Sequence, residues 1–413
     1  MTLDKQPVVV TGMGVICPLG LNIEELWAGL VAGKSGIKYI THFDASNYQV
    51  KVAGEVNGFD PTKFMDIKTV ERTRRPTHFA IAVVKEAVES ARLDMTKEQA
   101  ERVGVITTNM LECEFIAAGW ETLQKRGPRR VDPLFFTKSA PSIASLHIGM
   151  LLGARGPNTS VNSLCASGTD AIGTALNYIR LGYADVMIAG GSDASLDPMT
   201  VAAIGRLGAL SQEPDPDKAC RPFDLNRNGF VYGEGAGLVI LETYEHAKKR
   251  GAPILAELAG AGWTYDAHDI TAPYPDTEAI AMRTALQNAG VKPEEVDYIN
   301  AHGTSTKLND ISETKAIKMV FGDRAYRIPV SSNKSMFGHL ITAGGAVESI
   351  GAVLTIMNGI IPPTIHYETP DPECDLDYVP NVARQAQVNV CLKDSFGLGG
   401  QNCCLVFKRF KGE

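Results

Sequence analysis

Short β-branched runs alternate with helical patterns from one end of the sequence to the other, and this alternation restricts the fold more than any other feature. VVVTGMG (8–14) reads as a strand running into a glycine turn. RVGVITT (102–108), ADVMIAGG (184–191) and AGLVILET (236–243) read as further strands. DYINAHG (297–303), IPVSSNK (328–334) and CLVFKRF (404–410) continue the series in the second half. Between them, apolar residues recur at helical spacing in HFAIAVVKEAVESARL (78–93), EAIAMRTALQNAG (278–290) and GAVESIGAVLTIMNG (345–359). Such a chain is expected to build an α/β architecture with largely buried sheets.

At 413 residues the chain exceeds one ordinary hydrophobic core, which predicts two domains or two fused halves. The charged segment ETYEHAKKRGAP (242–253) is the candidate join, dividing the chain into 1–252 and 253–413. No short repeat or low-complexity tract is visible. PLFFTKSAPS (133–142) and IIPPTIHYETPDPECDLDYVP (360–380) are proline-bearing loops. The composition, 44% apolar and 21% charged, is that of a soluble globular protein. No segment reaches the roughly 18 uninterrupted apolar residues of a membrane span. MTLDKQPVVVTGMG at the start lacks the layout of a signal peptide. Eight cysteines occur without CxxC spacing, and the adjacent Cys403 and Cys404 suit neither a zinc cage nor an ordinary disulfide. Reduced thiols in a cytoplasm are the expectation. A net charge of −7 argues against bulk attraction to nucleic acid, while a local basic patch remains compatible with an acidic partner.

One cysteine occupies a special place. In PNTSVNSLCASGTDAIGTALNYIRLG (157–182), residues 157–164 alternate as a strand does. Ile172, Ala175, Leu176 and Ile179 then recur at helical spacing. Cys165 therefore lies at or just before a helix N-terminus, where unpaired N–H groups and the helix dipole favour a thiolate. The small neighbours Ala166, Ser167 and Gly168 leave room for a substrate. A buried cysteine acting as a small hydrophobe fits the same residues.

Two histidines follow strands in the second half. His302 is succeeded by Gly303, Thr304, Ser305 and Thr306, with Asp310 placed to cap the next helix. Lys334 follows a strand, and His339 is expected to open the helix that carries Val347 and Ile350. A histidine there tends to stay neutral. A structural histidine is the alternative in each case. HxxxH and HExxH spacings are absent, so no metal site is expected. Gly397, Gly399 and Gly400 form a loop that can aim a backbone N–H at a developing oxyanion. No phosphate-binding loop motif accompanies it.

Taken together, these segments resemble the β-ketoacyl-acyl carrier protein synthases of the type II elongating kind, and the closely similar type II polyketide ketosynthases. LCASGTDAIG, ADVMIAGGSDA, RPFDLNRNGFVYGEGAG, NAHGTSTKLND and SSNKSMFGHLITAGGAVESI appear in that family's order and spacing. The resemblance implies a thiolase-like duplicated fold layered α-β-α-β-α, with Cys165 as the acyl-carrying nucleophile and His302 and His339 completing a triad. It implies an ion pair of Lys334 with Glu348, and threonines Thr304 and Thr306 holding a pantetheine arm. It also implies an oxyanion hole from the N–H groups of Cys165 and Leu398, no cofactor, and a homodimer or a heterodimer with a chain-length partner. The expected partner is an acidic acyl carrier protein. Candidate docking residues are Lys63, Lys68, Arg72, Arg74, Arg75, Arg126, Arg129 and Arg130, for which a solvated surface is the alternative.

The sequence departs from the family in three places. Leu398 stands where a gating Phe is usual, with Phe396 and Gly399 kept beside it. ITTNMLECEF, including Leu111, replaces a glycine-rich stretch that lines the acyl channel, and Ile204 replaces a frequent Phe. A chain-length or acyl-type preference different from ordinary fatty acid elongation is the expectation. A noncatalytic thiolase-fold subunit and a degradative thiolase are rival readings. The presence of Cys165 with both histidines opposes the first, and the two histidine motifs oppose the second.

Overall fold

In the computed structural model, which describes residues 6–412, the β-branched runs become ten strands of one sheet. The first five are β1 (Val8–Ile16), β2 (Val103–Thr107), β3 (Asn158–Ser160), β4 (Val186–Asp193) and β5 (Gly235–Thr243). The second five are β6 (Ala256–Tyr265), β7 (Tyr298–Asn300), β8 (Val330–Ser331), β9 (Val390–Phe396) and β10 (Gln401–Lys408). From the centre outward one half runs β1-β5-β4-β2-β3 and the other β6-β10-β9-β7-β8. Strand directions match as well: the first two pairings in each half are antiparallel and the last two parallel. The fold is therefore a duplication. The halves do not keep separate sheets; they join where Val9 pairs with Glu257 and Val10 with Ala256.

Four helices supply the layers. α1 (Arg75–Ala91) covers β1 and β5, and α3 (Pro275–Ala289) covers β6 and β10 in the equivalent place. α2 (Ser167–Arg180) and α4 (Gly344–Asn358) pack against each other and against strands of both halves. α4 is buried on every side from Gly344 to Ile356, as its nearly uninterrupted apolar sequence requires. The result is the α-β-α-β-α layering expected from the resemblance.

Gly12 and Gly14 do not form the expected turn. β1 runs through them, because a Cβ at Gly12 would lie 2.3 Å from the Ala87 carbonyl oxygen and one at Gly14 would lie 2.2 Å from that of Val83. Gly260 and Gly262 in β6 stand equally close to Ala285 and Ala281 of α3, at 2.5 and 2.3 Å. Each G-x-G pair lets a helix backbone lie directly on a strand. TGMG and AGAG are thus the same element in both halves, a repeat too short to notice without the topology.

The helix Tyr244–Arg250 connects the halves. Its His246 lies between two carboxylates, with Nδ1 2.6 Å from Glu242 Oε2 and Nε2 2.8 Å from Glu98 Oε2. The hydrogen bond with Glu242 raises the imidazole pKa against the opposing effect of burial. Burial pushes Glu242 up, but hydrogen bonds from Arg250, His246 and Thr11 overcome it and hold the carboxyl at about 2. A raised folded pKa means that His246 stabilises fully below its unfolded value of about 6.5, and that this support is lost as pH rises through the folded value. The melting-temperature gap between wild type and His246→Gln is therefore expected to be wide near about pH 6 and to narrow by about pH 9. A gap that does not change with pH would show that the pair has no such linkage.

Among the described residues, no helix is long and apolar enough to cross a membrane, and no group of His, Cys, Asp or Glu is placed to hold a metal ion. All eight cysteines are unpaired.

Candidate active site

The strand before Cys165 ends early, at Ser160, and Leu164–Ala166 form a single 3-10 turn that leads into α2. Leu164 takes a left-handed backbone, φ 51°, unusual for a branched residue. Hydrogen bonds hold it there. Ser167 Oγ donates to Leu164 O at 2.7 Å and accepts from Ser163 N at 2.9 Å. Asp170 accepts from Ser163 Oγ at 3.0 Å and from Trp263 Nε1 of β6 at 2.9 Å, tying the turn to the other half.

The thiol sits where the helix start predicts, but its acidity does not follow. Cys165 as a residue is half-buried, yet its sulfur is enclosed by protein. Burial raises the thiol pKa above the ordinary value, and the N–H of Leu398, the Lys334 ammonium and the N–H of Cys165 itself only partly oppose it. At rest the group is a thiol rather than the expected thiolate. The two N–H groups named for the oxyanion hole are among the groups that pull this thiol pKa back down.

His302 follows β7, and its ring lies 5.5 Å from that of His339, nearly perpendicular at 86°. His339 does not open a helix. It lies five residues before Gly344, in a segment where its N–H donates to Val231 O at 2.7 Å and its carbonyl accepts from Gly233 N at 2.9 Å. Both rings are buried, and both pKa values fall well below the ordinary one, through burial first and nearby ammonium groups second. The helix dipole is not needed. The tautomers follow from the neighbours. Ile341 N donates to His339 Nδ1 at 3.1 Å, and Lys334 Nζ, which can only donate, lies 3.3 Å from His302 Nδ1. Each neutral ring therefore carries its proton on Nε2. His339 Nε2 has no hydrogen-bond partner, an unsatisfied donor in a buried setting.

Behind the histidines lies a charged core. Lys334, at the start of the short helix Lys334–Phe337, bonds to Glu348 Oε1 and, at 2.8 Å, to His302 O. Two residues the sequence reading did not single out complete it. Lys393 Nζ lies 2.9 Å from Glu348 Oε2. Glu313 accepts from the N–H groups of His302 and Gly303, both at 2.7 Å. Asp310, rather than capping a helix, accepts from Phe223 N at 2.8 Å. The signal for Lys393 was a charge directly after the apolar stretch Val390, Cys391 and Leu392.

A cavity of about 710 Å³ brings together Cys165, His302 and His339. Thr304, Thr306, Phe396, Leu398 and Gly399 also line it. The Thr304 and Thr306 hydroxyls are 2.9 Å apart. Phe396 is buried with its ring 5.9 Å from that of His302, whereas Leu398 is 40% exposed at the loop. That loop is pinned by Gly399 N donating to Ile270 O at 2.8 Å. Leu111 and Ile204 are not on the cavity wall. Leu111 is 41% exposed, and Ile204 packs in a satellite cluster with Val50, Leu210 and Tyr232.

Of the basic candidates, Lys63, Lys68, Arg72, Arg126, Arg129 and Arg130 are exposed. Arg74 and Arg75 are not free to dock. Arg74 pairs with Glu112 at 3.1 Å and stacks on Phe115. Arg75 reaches the fully buried Glu234 at 2.7 Å and lies over the Phe79 ring. Their charges serve the fold.

The description "Beta-ketoacyl synthase, N-terminal domain" matches residues 5–247, and "Beta-ketoacyl synthase, C-terminal domain" matches 255–368. The chain is 45% identical to a 3-oxoacyl-(acyl-carrier-protein) synthase 2 of Synechocystis sp., over 99% of both chains. It is 44% identical to the protein of that name in Staphylococcus aureus, over all of both. Among solved structures, the ishigamide ketosynthase/chain length factor superposes with a TM-score of 0.92 at 38% identity, covering 98% of this chain and 100% of the other. A type II polyketide acyl carrier protein complex with its ketosynthase, bound to a hexaketide, superposes at 0.89 with 35% identity and the same coverage.

Proposed function

The chain belongs to the beta-ketoacyl synthase family, and from that premise we propose that Cys165, His302 and His339 carry a decarboxylative Claisen condensation. A Cys-bound acyl chain joins the malonyl unit of malonyl-acyl carrier protein, giving β-ketoacyl-acyl carrier protein and carbon dioxide in fatty acid elongation. The observation that carries the assignment of roles is the unpartnered Nε2–H of His339, in one cavity with a second neutral imidazole and the sulfur.

In the first step the Cys165 sulfur attacks the thioester carbonyl of the acyl carrier. The tetrahedral oxyanion is held by the N–H groups of Cys165 and Leu398, and the carrier sulfur departs with the proton that Cys165 gives up. One thiol is consumed and one is formed. In the second step the bond from malonyl carbon to its carboxylate breaks and carbon dioxide leaves. The electron pair moves to the thioester oxygen, where the two Nε2–H donors receive it, each worth about 3 kcal/mol of the barrier. In the third step the enolate carbon attacks the acyl carbonyl. A carbon–carbon bond forms, the bond to Cys165 sulfur breaks, and the leaving thiolate is reprotonated from solvent. Lys334 and Glu348 keep the His302 ring in place, and Thr304 and Thr306 offer hydroxyls to the pantetheine arm.

Fatty acid elongation is the reading supported by the relatives at 44–45% identity. A type II polyketide or other specialised acyl pathway, with a chain-length partner, is favoured by Leu398 at the cavity loop in place of an aromatic gate. Intact-protein mass spectrometry after incubation with acyl-carrier proteins of increasing chain length tests both. Acylation at Cys165 with a medium-to-long profile supports elongation, and a narrow profile supports the specialised pathway. No acylation with any chain overturns the assignment.

The acidic carrier docks, on this reading, against the exposed group Lys63, Lys68, Arg72, Arg126, Arg129 and Arg130. The double reversal Arg129→Glu/Arg130→Glu is expected to raise the KM for carrier-bound substrate by about tenfold and to flatten its salt dependence, with kcat little changed. Unchanged KM removes docking there. The dimer, homomeric or with a chain-length partner, is supported by the edge strand β3 and by exposed Leu146, Met150 and Leu151 on the neighbouring helix Ile143–Leu152. The division near residue 252 falls in the link before β6. Eight free thiols suit a reducing cytoplasm.

A further inference from the structure

We propose that Lys393 is a positioning residue of this site, clamping the second oxygen of Glu348 so that Lys334 is left to hold the proton-free nitrogen of His302. The proposal rests on the reading that the imidazoles donate to substrate oxygen, and it extends the machinery by a residue outside the cavity.

Lys393 stands in the middle of β9, its backbone paired on one side with Asn300 of β7 and on the other with Leu405 of β10. Strand alternation decides its direction. Cys391 belongs to the central hydrophobic cluster and Leu392 to the outer one, so Lys393 faces inward toward α4. Its side chain is fully buried. Its ammonium donates to Ser395 Oγ at 2.9 Å and to the Asp394 carbonyl, and forms an ion pair with Glu348 Oε2 at 2.9 Å, an oxygen that has no hydrogen-bond donor of its own. Lys334 is built the same way, with Glu348 Oε1, His302 Nδ1 and His302 O. Two lysines thus share one carboxylate, and each of its oxygens faces one ammonium.

The arrangement has two consequences. Removing Lys393 leaves Glu348 Oε2 bare in a dry interior, where both oxygens then compete for Lys334. The Lys334 ammonium is drawn over the carboxylate and away from His302 Nδ1, and the His302 tautomer loses its restraint. The second consequence is charge. Two ammonium groups and one carboxylate leave a net positive centre behind the histidines. That centre opposes protonation of both rings and favours an anion forming in front of them. Glu313 and Asp394 are the other buried carboxyls nearby, and burial raises both, to about 8 and about 6.

The test compares the two half-reactions in Lys393→Gln, which keeps amide donors for Ser395 and Asp394 but lacks the charge, and in Lys393→Ala. Decarboxylation of malonyl-carrier protein is expected to fall about 30-fold or more in kcat with KM unchanged, while acylation of Cys165 falls less than about threefold. Methylammonium restores decarboxylation in Lys393→Ala, and tetramethylammonium, which has no N–H to donate, does not. If Lys393→Ala fails to fold, Lys393→Gln decides alone. Decarboxylation within about twofold of wild type in Lys393→Gln overturns the proposal. So does a parallel fall of both half-reactions with the melting temperature, which marks a merely structural lysine. A wild-type protein that does not decarboxylate malonyl-carrier protein at all refutes the functional reading itself, and is distinguishable from either result.

Discussion

Cys165→Ala is expected to lower chain elongation by at least about 10⁴-fold while leaving measurable release of carbon dioxide from malonyl-carrier protein. The two half-reactions draw on different parts of the site. Acyl transfer needs the sulfur, among the described residues the one thiol on the wall of the cavity that holds the two histidines. Decarboxylation needs the imidazole donors, which come from the other half of the duplicated fold and keep their tautomers through Ile341 and Lys334. Alanine removes only the sulfur and leaves the N–H of residue 165 in place, so the 3-10 turn is retained. Labelled carbon dioxide release and product mass spectrometry read the two activities separately. Elongated product from this variant would falsify the role given to Cys165.

His339→Ala is expected to reduce decarboxylation by about 10²–10³-fold, with acylation of Cys165 nearly intact. The imidazole has one intramolecular hydrogen bond, at Nδ1, and its Nε2–H is otherwise idle, so its removal takes away a donor without breaking a network. His339→Gln, which offers an amide donor from a similar distance, is expected to recover part of the loss. The pH dependence follows from the same burial. Both histidine pKa values lie well below the ordinary one, so decarboxylation by the wild type stays level as pH falls through about 6.5. A decline centred there shows that at least one ring titrates normally, and contradicts the two-neutral-donor scheme. Coupling between His302→Ala and His339→Ala is expected to be non-additive, because both donors serve one oxygen.

Much of this was legible in the chain. Strand and helix periods marked the sheet and its covering helices, because each of those segments is half-buried or buried along its whole length. The segments around Cys165, His302 and His339 were visible as polar residues at strand ends. What failed, failed for reasons that lie outside any local window. Residues 157–164 looked like a strand but pair only over Asn158–Ser160, since Leu164 must turn left-handed to present the thiol. The helix start argued for a thiolate, yet enclosure by distant loops outweighs a dipole. Arg74 and Arg75 looked like surface charges until Glu112 and Glu234, remote in sequence, arrived beside them. The residues around Lys393 do not by themselves mark it as buried. Only the covers of α4 on one side and α3 on the other make both faces of that strand interior.

The two halves of the sheet are copies in plan, but they have taken on unequal trades. At corresponding positions, the forward copy offers sulfur ahead of α2, and the rear copy offers imidazole ahead of α4. Neither copy owns a complete reaction, so a symmetric ancestor made of two identical halves would have carried either two thiols or two sets of rings. Two identical halves could not supply both kinds of group to one pocket, and the Trp263 to Asp170 hydrogen bond fixes the sulfur-bearing turn of one half against the sheet of the other.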